Sequence, residues 1–247
     1  MGKTYFASDF HLGTPDYETS LSREKKIVQW LDSISEDCDH LFLVGDIFDF
    51  WYEYKTAIPK YFTRILGKLA SMTDSGTKIY FFKGNHDMWT FDYLQKEIGL
   101  KVIDEEWIGK IDGKNFYVHH GDALWKGEST YKLIRKIFRS RWAIWLFHRL
   151  HPNFGIGLAN YLSRSSRKKN SALDEVQIPL EDEYQYQFAL DHLTKNQVDF
   201  FIFGHRHNPI NVLLNENSRL INLGDWVSKY TYAVWDGKEL SLLTYNS

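Results

Sequence analysis

Two spacings of apolar residues alternate along most of the chain. Short, dense apolar runs predict strands over Thr4–Ser8, His40–Val44, Lys78–Phe82, Phe116–His119, Asp199–Phe203, Arg219–Asn222 and Tyr232–Trp235. Between them, apolar residues recur every three or four positions. That period predicts helices over Ser22–Ser35, Pro59–Thr73, Phe91–Ile98, Thr130–Leu150 and Glu181–Asn196. Asp112-Gly113 and Asp236-Gly237 have the composition of hairpin turns. Strand and helix alternate in the first half, as in α/β folds, and the last 50 or so residues read as a strand meander. The mixture predicts two packed sheets with helices outside.

Polar clusters follow directly on five of these strands. They are Asp9 with His11, Gly45-Asp46, Gly84-Asn85-His86-Asp87, His120-Gly121-Asp122 and Gly204-His205-Arg206-His207. Ligands of α/β sheets bind at the carboxyl ends of strands, so segments far apart in sequence can meet in one crevice. Each cluster alone has an ordinary explanation, since a Gly-Asp after a strand is a common turn or helix cap. Together they supply Asp9, His11, Asp46, Asn85, His120, His205 and His207: oxygen and imidazole donors without thiolate, a set suited to Mn²⁺, Fe or Zn²⁺. Seven donors exceed what one catalytic ion with an open position needs. They suit two divalent ions about 3.5–4 Å apart, which orient and acidify a water and neutralise a phosphoryl oxygen. His119 precedes His120 on a strand, so its side chain is expected on the opposite face.

Composition adds bounds. In 247 residues, 43% are hydrophobic and 25% charged, as in globular proteins, and no run approaches the roughly 20 apolar residues of a membrane span. One cysteine, Cys38, excludes an internal disulfide and suits a reducing cytoplasm, and no signal peptide is expected before the first strand. The net charge of −2 hides an asymmetry. Residues 126–170 hold 11 Lys or Arg and a single acid, Glu128. A basic block in an otherwise acidic chain suits an anionic partner, although a solvated helix face has the same charge pattern. Aromatic residues are interleaved with it, and Ile134, Phe138, Trp142 and Trp145 would share one helical face. Such a segment could pack on its own domain. It could also form a lid with an apolar groove and an anion-binding rim, able to hold acyl chains beside phosphate or to lie on an anionic bilayer. No DNA-reading motif accompanies it, and no nucleic-acid partner is expected.

Asp9-x-His11, Gly45-Asp46-Ile47-Phe48-Asp49, Gly84-Asn85-His86-Asp87, His120-Gly121 and Gly204-His205-x-His207 together resemble the full motif set of the calcineurin-like metallophosphoesterases, in the family's order. The resemblance implies a four-layer αββα sandwich over residues 1–247 as one domain, with a helical lid insertion at about 123–170. It also implies roles. Asp9, His11 and His207 would hold one ion, Asn85, His120 and His205 the second, and Asp46 would bridge them, with Mn²⁺ the expected metal. His86 would contact the scissile phosphate and assist the leaving group, with Asp87 orienting its ring. Asp49 and Asp122 would be supporting or structural residues.

Within the family, the chain is similar to the UDP-2,3-diacylglucosamine hydrolases of lipid A synthesis. The stretches that carry this are Gly45-Asp46-Ile47-Phe48 with Trp51, His120-Gly121-Asp122-Ala123-Leu124 followed by Tyr131 and Arg135, the basic Ser/Arg/Lys segment, and Leu223-Gly224-x-Trp226. This similarity implies hydrolysis of the UDP-sugar diphosphate to UMP and 2,3-diacylglucosamine 1-phosphate. Tyr131, Arg135, Arg164, Ser166, Arg167 and Lys168 are then the expected substrate contacts. The enzyme would be cytoplasmic and would lie peripherally on the anionic inner membrane. His86 stands where the best-known members of that branch carry Arg, and Asp225 where they often have a small residue. The alternatives are a related enzyme acting on a soluble nucleotide or another phosphodiester, and a non-catalytic binding scaffold.

Overall fold

A computed structural model describes residues 2–124, 127, 129–174 and 178–246, with side chains left out at 129 and 164–174. One sheet has the order β11(Leu240–Thr244), β10(Thr231–Trp235), β1(Lys3–Ala7), β2(Cys38–Leu43), β3(Lys78–Phe82), β4(Lys101–Ile103). The other runs β5(Trp107–Ile111), β6(Lys114–His119), β7(Phe200–Phe203), β9(Arg219–Asn222), β8(Ile210–Leu213). Both sheets are mixed. Strands β1 to β4 pair in parallel in the first, as do β6, β7 and β9 in the second, and antiparallel strands complete one edge of the first sheet and both edges of the second.

The layering follows from the two-residue period of a strand, which sends alternate side chains to opposite faces. In β2 and β3, Leu41, Leu43, Ile79 and Phe81 face one apolar cluster, while Phe42 and Phe82 face another. The first cluster is closed by Ile27, Trp30, Leu31 and Ile34 of α1(Tyr17–Ile34) and by Ile65, Leu66, Leu69 and Met72 of α2(Thr63–Asp74), all at helical spacing. The second lies between the sheets, where Phe6 stacks on Phe42 and Phe116 with centroids 4.9 and 5.8 Å apart. A third unites Tyr117, Phe201, Phe203 and Leu220, on the outer face of the second sheet, with Ala189 of α7(Tyr184–Leu193). The result is the αββα sandwich. Each fully buried large apolar side chain contributes about 1.5–3 kcal/mol over its exposed state.

The runs of central strands lie where the sequence places them, to within one or two residues. Helix α1 begins five residues earlier than predicted, because the Asp16 carboxylate accepts the Thr19 N–H at 2.9 Å and caps it. The short strands β4, β5, β8 and β11 were not predicted. Both Asp-Gly turns close hairpins, with Asp112 and Gly113 each at positive φ. Cys38 is buried in the first cluster, and burial pushes its thiol up to about 12.

The segment after His120 departs most from the prediction. The single helix expected over Thr130–Leu150 is two, α4(Ser129–Phe138) and α5(Arg141–His148). Ser140 breaks it, accepting the Ala143 N–H at 3.2 Å as the cap of the second helix. The apolar face is split accordingly. Ile134 and Phe138 line a groove, whereas Trp142 and Trp145 pair edge to face on the outside, 79% and 51% exposed. A longer helix follows, α6(Pro152–Asp174).

Candidate metal centre

Five strand ends deliver the polar clusters to one place: β1 for Asp9 and His11, β2 for Asp46, β3 for Asn85 and His86, β6 for His120, and β7 for His205 and His207. The turns are strained. Asp9, His11, Asp46, His205 and His207 all have φ between 44° and 71°, the left-handed region that non-glycine residues rarely occupy. Such backbone persists where surrounding structure enforces it, most often at functional sites. The turns also need two glycines. A Cβ on Gly84 would lie 2.1 Å from Asp46 Oδ1, and one on Gly45 would lie 2.4 Å from His120 Nδ1.

Donor atoms converge in three sets, each within 4.8 Å: Asp9, His11 and His207; Asp46, His120 and His205; and His11, Asp46 and His86. Asp46 and His11 each belong to two of them. In the first set, His11 Nε2 lies 3.0 Å from His207 Nε2, and Asp9 Oδ1 lies 3.5 and 3.2 Å from those two nitrogens. Asp9 Oδ1 is buried, yet accepts no hydrogen bond. In the second set, His120 Nδ1 donates to the Val44 carbonyl at 2.8 Å. A carbonyl can only accept, so the His120 Nε2 lone pair of the neutral ring faces Asn85 Oδ1 and Asp46 Oδ2, each at 3.4 Å. Carboxylate, amide and imidazole donors converging this closely fit divalent cations, and the mixed oxygen and imidazole chemistry suits that group.

Electrostatics agree. Burial pushes the Asp46 carboxyl up, but the imidazoles of His120, His86 and His11 outweigh it and hold the group well below the carboxylate range. Asp9 behaves alike, with His11 and His207 overcoming burial. Burial opposes the charge of His120, but Asp46 and Asp9 raise the ring to about 10. Burial and the neighbouring His120 push His205 down to about 4. In the metal-free chain a proton therefore occupies positions that a cation would take, and binding a cation releases it.

The expected role of Asp87 is revised by the geometry. Asp87 does not orient the His86 ring. Its carboxylate, fully buried and pushed up to about 7 by burial and by Asp46, accepts the N–H groups of Gly84 and Ile47, both at 2.8 Å, and of Phe48 at 3.4 Å. Asp87 therefore ties the β2 and β3 turns together. The His86 ring turns the other way, with Nδ1 3.0 Å from the Asp49 carbonyl oxygen and 3.1 Å from Ser163 Oγ. Tyr131 and Arg135 border the groove, yet their polar atoms reach protein groups. Tyr131 donates to Asp122 Oδ2 at 2.9 Å, while Arg135 lies 3.0 Å from the same oxygen and 2.9 Å from Glu105. They anchor α4 beside the site. Arg164, Ser166, Arg167 and Lys168 lie on α6, and their side chains are outside the described residues. His119 stands apart from the donor sets, its Nδ1 accepting the Gly121 N–H at 2.9 Å. The sequence marks Ser163 only as the start of the basic Ser/Arg/Lys segment, a phosphate-capable donor rather than a partner of His86, and Glu53 belongs to none of the motifs.

Above these donors a cavity of about 270 Å³ runs from Asn85 and His86 to walls formed by Trp89, Ile134, Phe138 and Leu162. Its floor is polar and its far walls apolar.

A model of the calcineurin-like phosphoesterases matches residues 2–209. The chain is 37% identical to a UDP-2,3-diacylglucosamine hydrolase of Porphyromonas gingivalis, covering 97% of this chain and 96% of the relative. It is 27% identical to the enzyme of the same name from Actinobacillus succinogenes, covering 92% of each. Among solved structures it is similar to a hypothetical protein of Pyrococcus horikoshii, with a TM-score of 0.51 and 8% identity over 100% of this chain and 89% of that one, a likeness of fold.

Proposed function

Because the chain belongs to the calcineurin-like phosphoesterase family, and is thus a metal-dependent hydrolase, we propose that it cleaves the diphosphate of UDP-2,3-diacylglucosamine. The observation that carries this substrate is the groove: it opens from the donor cluster and continues as an apolar channel, matching a phosphate group followed by acyl chains. The names of the relatives similar over nearly the whole chain support it.

Asp9, His11 and His207 would hold one divalent ion and Asn85, His120 and His205 a second, with Asp46 between them and Mn²⁺ the metal. Such ions supply a water acidified to neutral pH and positive charge against the phosphoryl oxygens. Water oxygen joins the α-phosphorus as the bond to the bridging oxygen breaks. UMP leaves on one side and 2,3-diacylglucosamine 1-phosphate on the other. His86 supplies the proton that the leaving oxygen takes, and Asp87 keeps the two turns in register beneath it. Arg164, Ser166, Arg167 and Lys168, in the basic stretch of α6, would be the contacts to the diphosphate and sugar, and the lid over about 123–170 would cover the acyl chains.

Mass spectrometry after incubating the purified, Mn²⁺-loaded protein with UDP-2,3-diacylglucosamine is expected to find UMP and the acylated sugar phosphate. Unchanged substrate, with turnover of soluble nucleotides instead, would replace this substrate with the nucleotide alternative.

We also place the lid against the cytoplasmic face of an anionic membrane. Among the described residues no helix is long and apolar enough to cross a bilayer. Instead Trp142, Leu146, Phe154 and Tyr161 stand 61–79% exposed on α5 and α6, with Arg141 at the start of α5 and Arg149 just after its end. Aromatic side chains beside cations suit the headgroup region. The chain is expected to co-sediment with phosphatidylglycerol vesicles at low ionic strength and to be released by salt or by Trp142→Ser with Leu146→Ser. Absence from the pellet at low salt would remove the membrane from the proposal.

A further inference from the structure

We propose that Ser163, on the lid helix α6, is the positioning residue for the His86 imidazole. The inference rests on His86 being the proton-transfer group of the phosphoester site, and does not depend on the UDP-lipid being the substrate.

Three groups meet at one nitrogen. His86 Nδ1 lies 3.0 Å from the Asp49 carbonyl oxygen, 3.1 Å from Ser163 Oγ and 3.6 Å from Asp49 Oδ1. The Ser163 hydroxyl lies 3.1 Å from Asp49 Oδ2. The Ser163 hydroxyl also lies 3.4 Å from the Asp49 carbonyl oxygen, and the shortest contacts assign the protons. The Asp49 carbonyl only accepts, so Nδ1 must carry a hydrogen. The Ser163 hydroxyl has one hydrogen, and its short contact with the acceptor-only carboxylate of Asp49 takes it. Ser163 Oγ then receives the Nδ1–H alongside the Asp49 carbonyl. With the hydrogen held at Nδ1, the neutral ring has its basic lone pair on Nε2. His86 thus takes and returns a proton at Nε2 alone.

Asp49 by itself would fix the tautomer but not the tilt of the ring. Both of its groups come from one residue of the β2 turn, whereas Ser163 arrives from the opposite side, 77 residues along the chain from His86. Asp49 is buried, 2% exposed, and Ser163 is half-buried on the wall of the groove. The position of α6 on the groove and the setting of the ring are therefore coupled through Ser163. A lid displaced by even about 1 Å would leave the imidazole misaligned, an error that costs on the order of 100-fold in rate at a reacting centre.

The test separates hydroxyl from shape and proton transfer from binding. Ser163→Ala, Ser163→Thr and Ser163→Val are compared in the loaded enzyme, alone and with His86→Ala. The substrates are UDP-2,3-diacylglucosamine in detergent and bis(4-nitrophenyl) phosphate. Loss of the hydroxyl in Ser163→Ala and Ser163→Val is expected to lower kcat about 30-fold on either substrate while KM stays within about two-fold. Ser163→Thr, which keeps the hydroxyl, should recover kcat to within about three-fold. In the His86→Ala background the same changes should cost less than about two-fold, because nothing remains to position. Thermal midpoints and metal content should not move. An unchanged kcat, a loss confined to KM, or an equal loss without His86 would each overturn the proposal. Wild-type turnover of the diester but not the UDP-lipid would sink the substrate assignment instead, and the comparison would still be read on the diester.

Discussion

Asp46→Asn is expected to lower kcat by on the order of 10⁴-fold, because the proposed two-ion site, which would acidify a water to neutral pH, would be lost, with bound metal dropping to one ion per chain or fewer. Asp46 stands at the junction of the site. It shares one donor set with His120 and His205 and another with His11 and His86, and its Oδ1 accepts the His86 N–H at 2.9 Å. The amide is the informative substitution. Asn keeps the size and tolerates the positive φ of 54° found there, where Ala would add backbone strain. What it removes is the negative charge. His120, whose ring Asp46 and Asp9 raise against burial, loses the nearer part of its counter-charge, and two cations lose the carboxylate that would screen them from each other. Metal content by plasma mass spectrometry and kcat on any phosphodiester read the two effects separately. Full metal occupancy with kcat within about ten-fold of wild type would show that Asp46 does not bridge the ions.

How much of this was readable beforehand depends on the range of the interaction. The donor residues were legible because each sits in a short motif directly after an apolar run, and strand ends in such sheets point to a common edge. The central strands were legible because both their faces are buried, which leaves runs such as Leu41-Phe42-Leu43-Val44 almost unbroken. Edge strands were not. Lys101–Ile103 is three residues long and Ile210–Leu213 is half-exposed, so pairing with a neighbour rather than pattern makes them strands. The break at Ser140 was hidden because the apolar spacing continues across it, although a serine followed by Ala143 is a legible cap in retrospect. Side-chain direction was the least accessible. The family resemblance implied that Asp87 serves His86, whereas Asp87 turns to the amides of two strand-end turns and His86 to Asp49 and Ser163. Nothing local distinguishes those outcomes. They are decided by which unpaired N–H groups the fold leaves near each carboxylate.

The same accounting of N–H groups makes Glu53→Ala the substitution expected to cost most in stability, about 3 kcal/mol, from loss of hydrogen bonds to a charged acceptor. Glu53 is 4% exposed. Its Oε2 accepts the N–H groups of Phe91, Asp92 and Tyr93 at 2.7, 2.7 and 3.0 Å, and its Oε1 accepts the indole N–H of the fully buried Trp51 at 3.0 Å. Those three backbone groups open the short helix Tyr93–Lys96, which has no side-chain cap of its own. One carboxylate therefore satisfies four donors and welds the segment after Asp87 to the segment after Asp49. Water can reach Asp92, which is exposed, but not Trp51, so part of the loss cannot be recovered by solvation. The thermal midpoint should fall by about 6–12 °C for a chain of this size. Glu53→Gln should fall less, since the amide oxygen can still accept the backbone donors while its NH₂ opposes the Trp51 indole. The damage should also reach the lid. Trp89, which precedes this helix, donates its indole N–H to the Phe138 carbonyl of α4 at 2.9 Å, so loosening residues 89–93 loosens the wall of the groove. Faster amide exchange in both segments of Glu53→Ala, at temperatures well below its midpoint, is the expected signature. An unchanged midpoint would mean that solvent replaces the carboxylate at no cost, and that the two segments are held together by their aromatic packing alone.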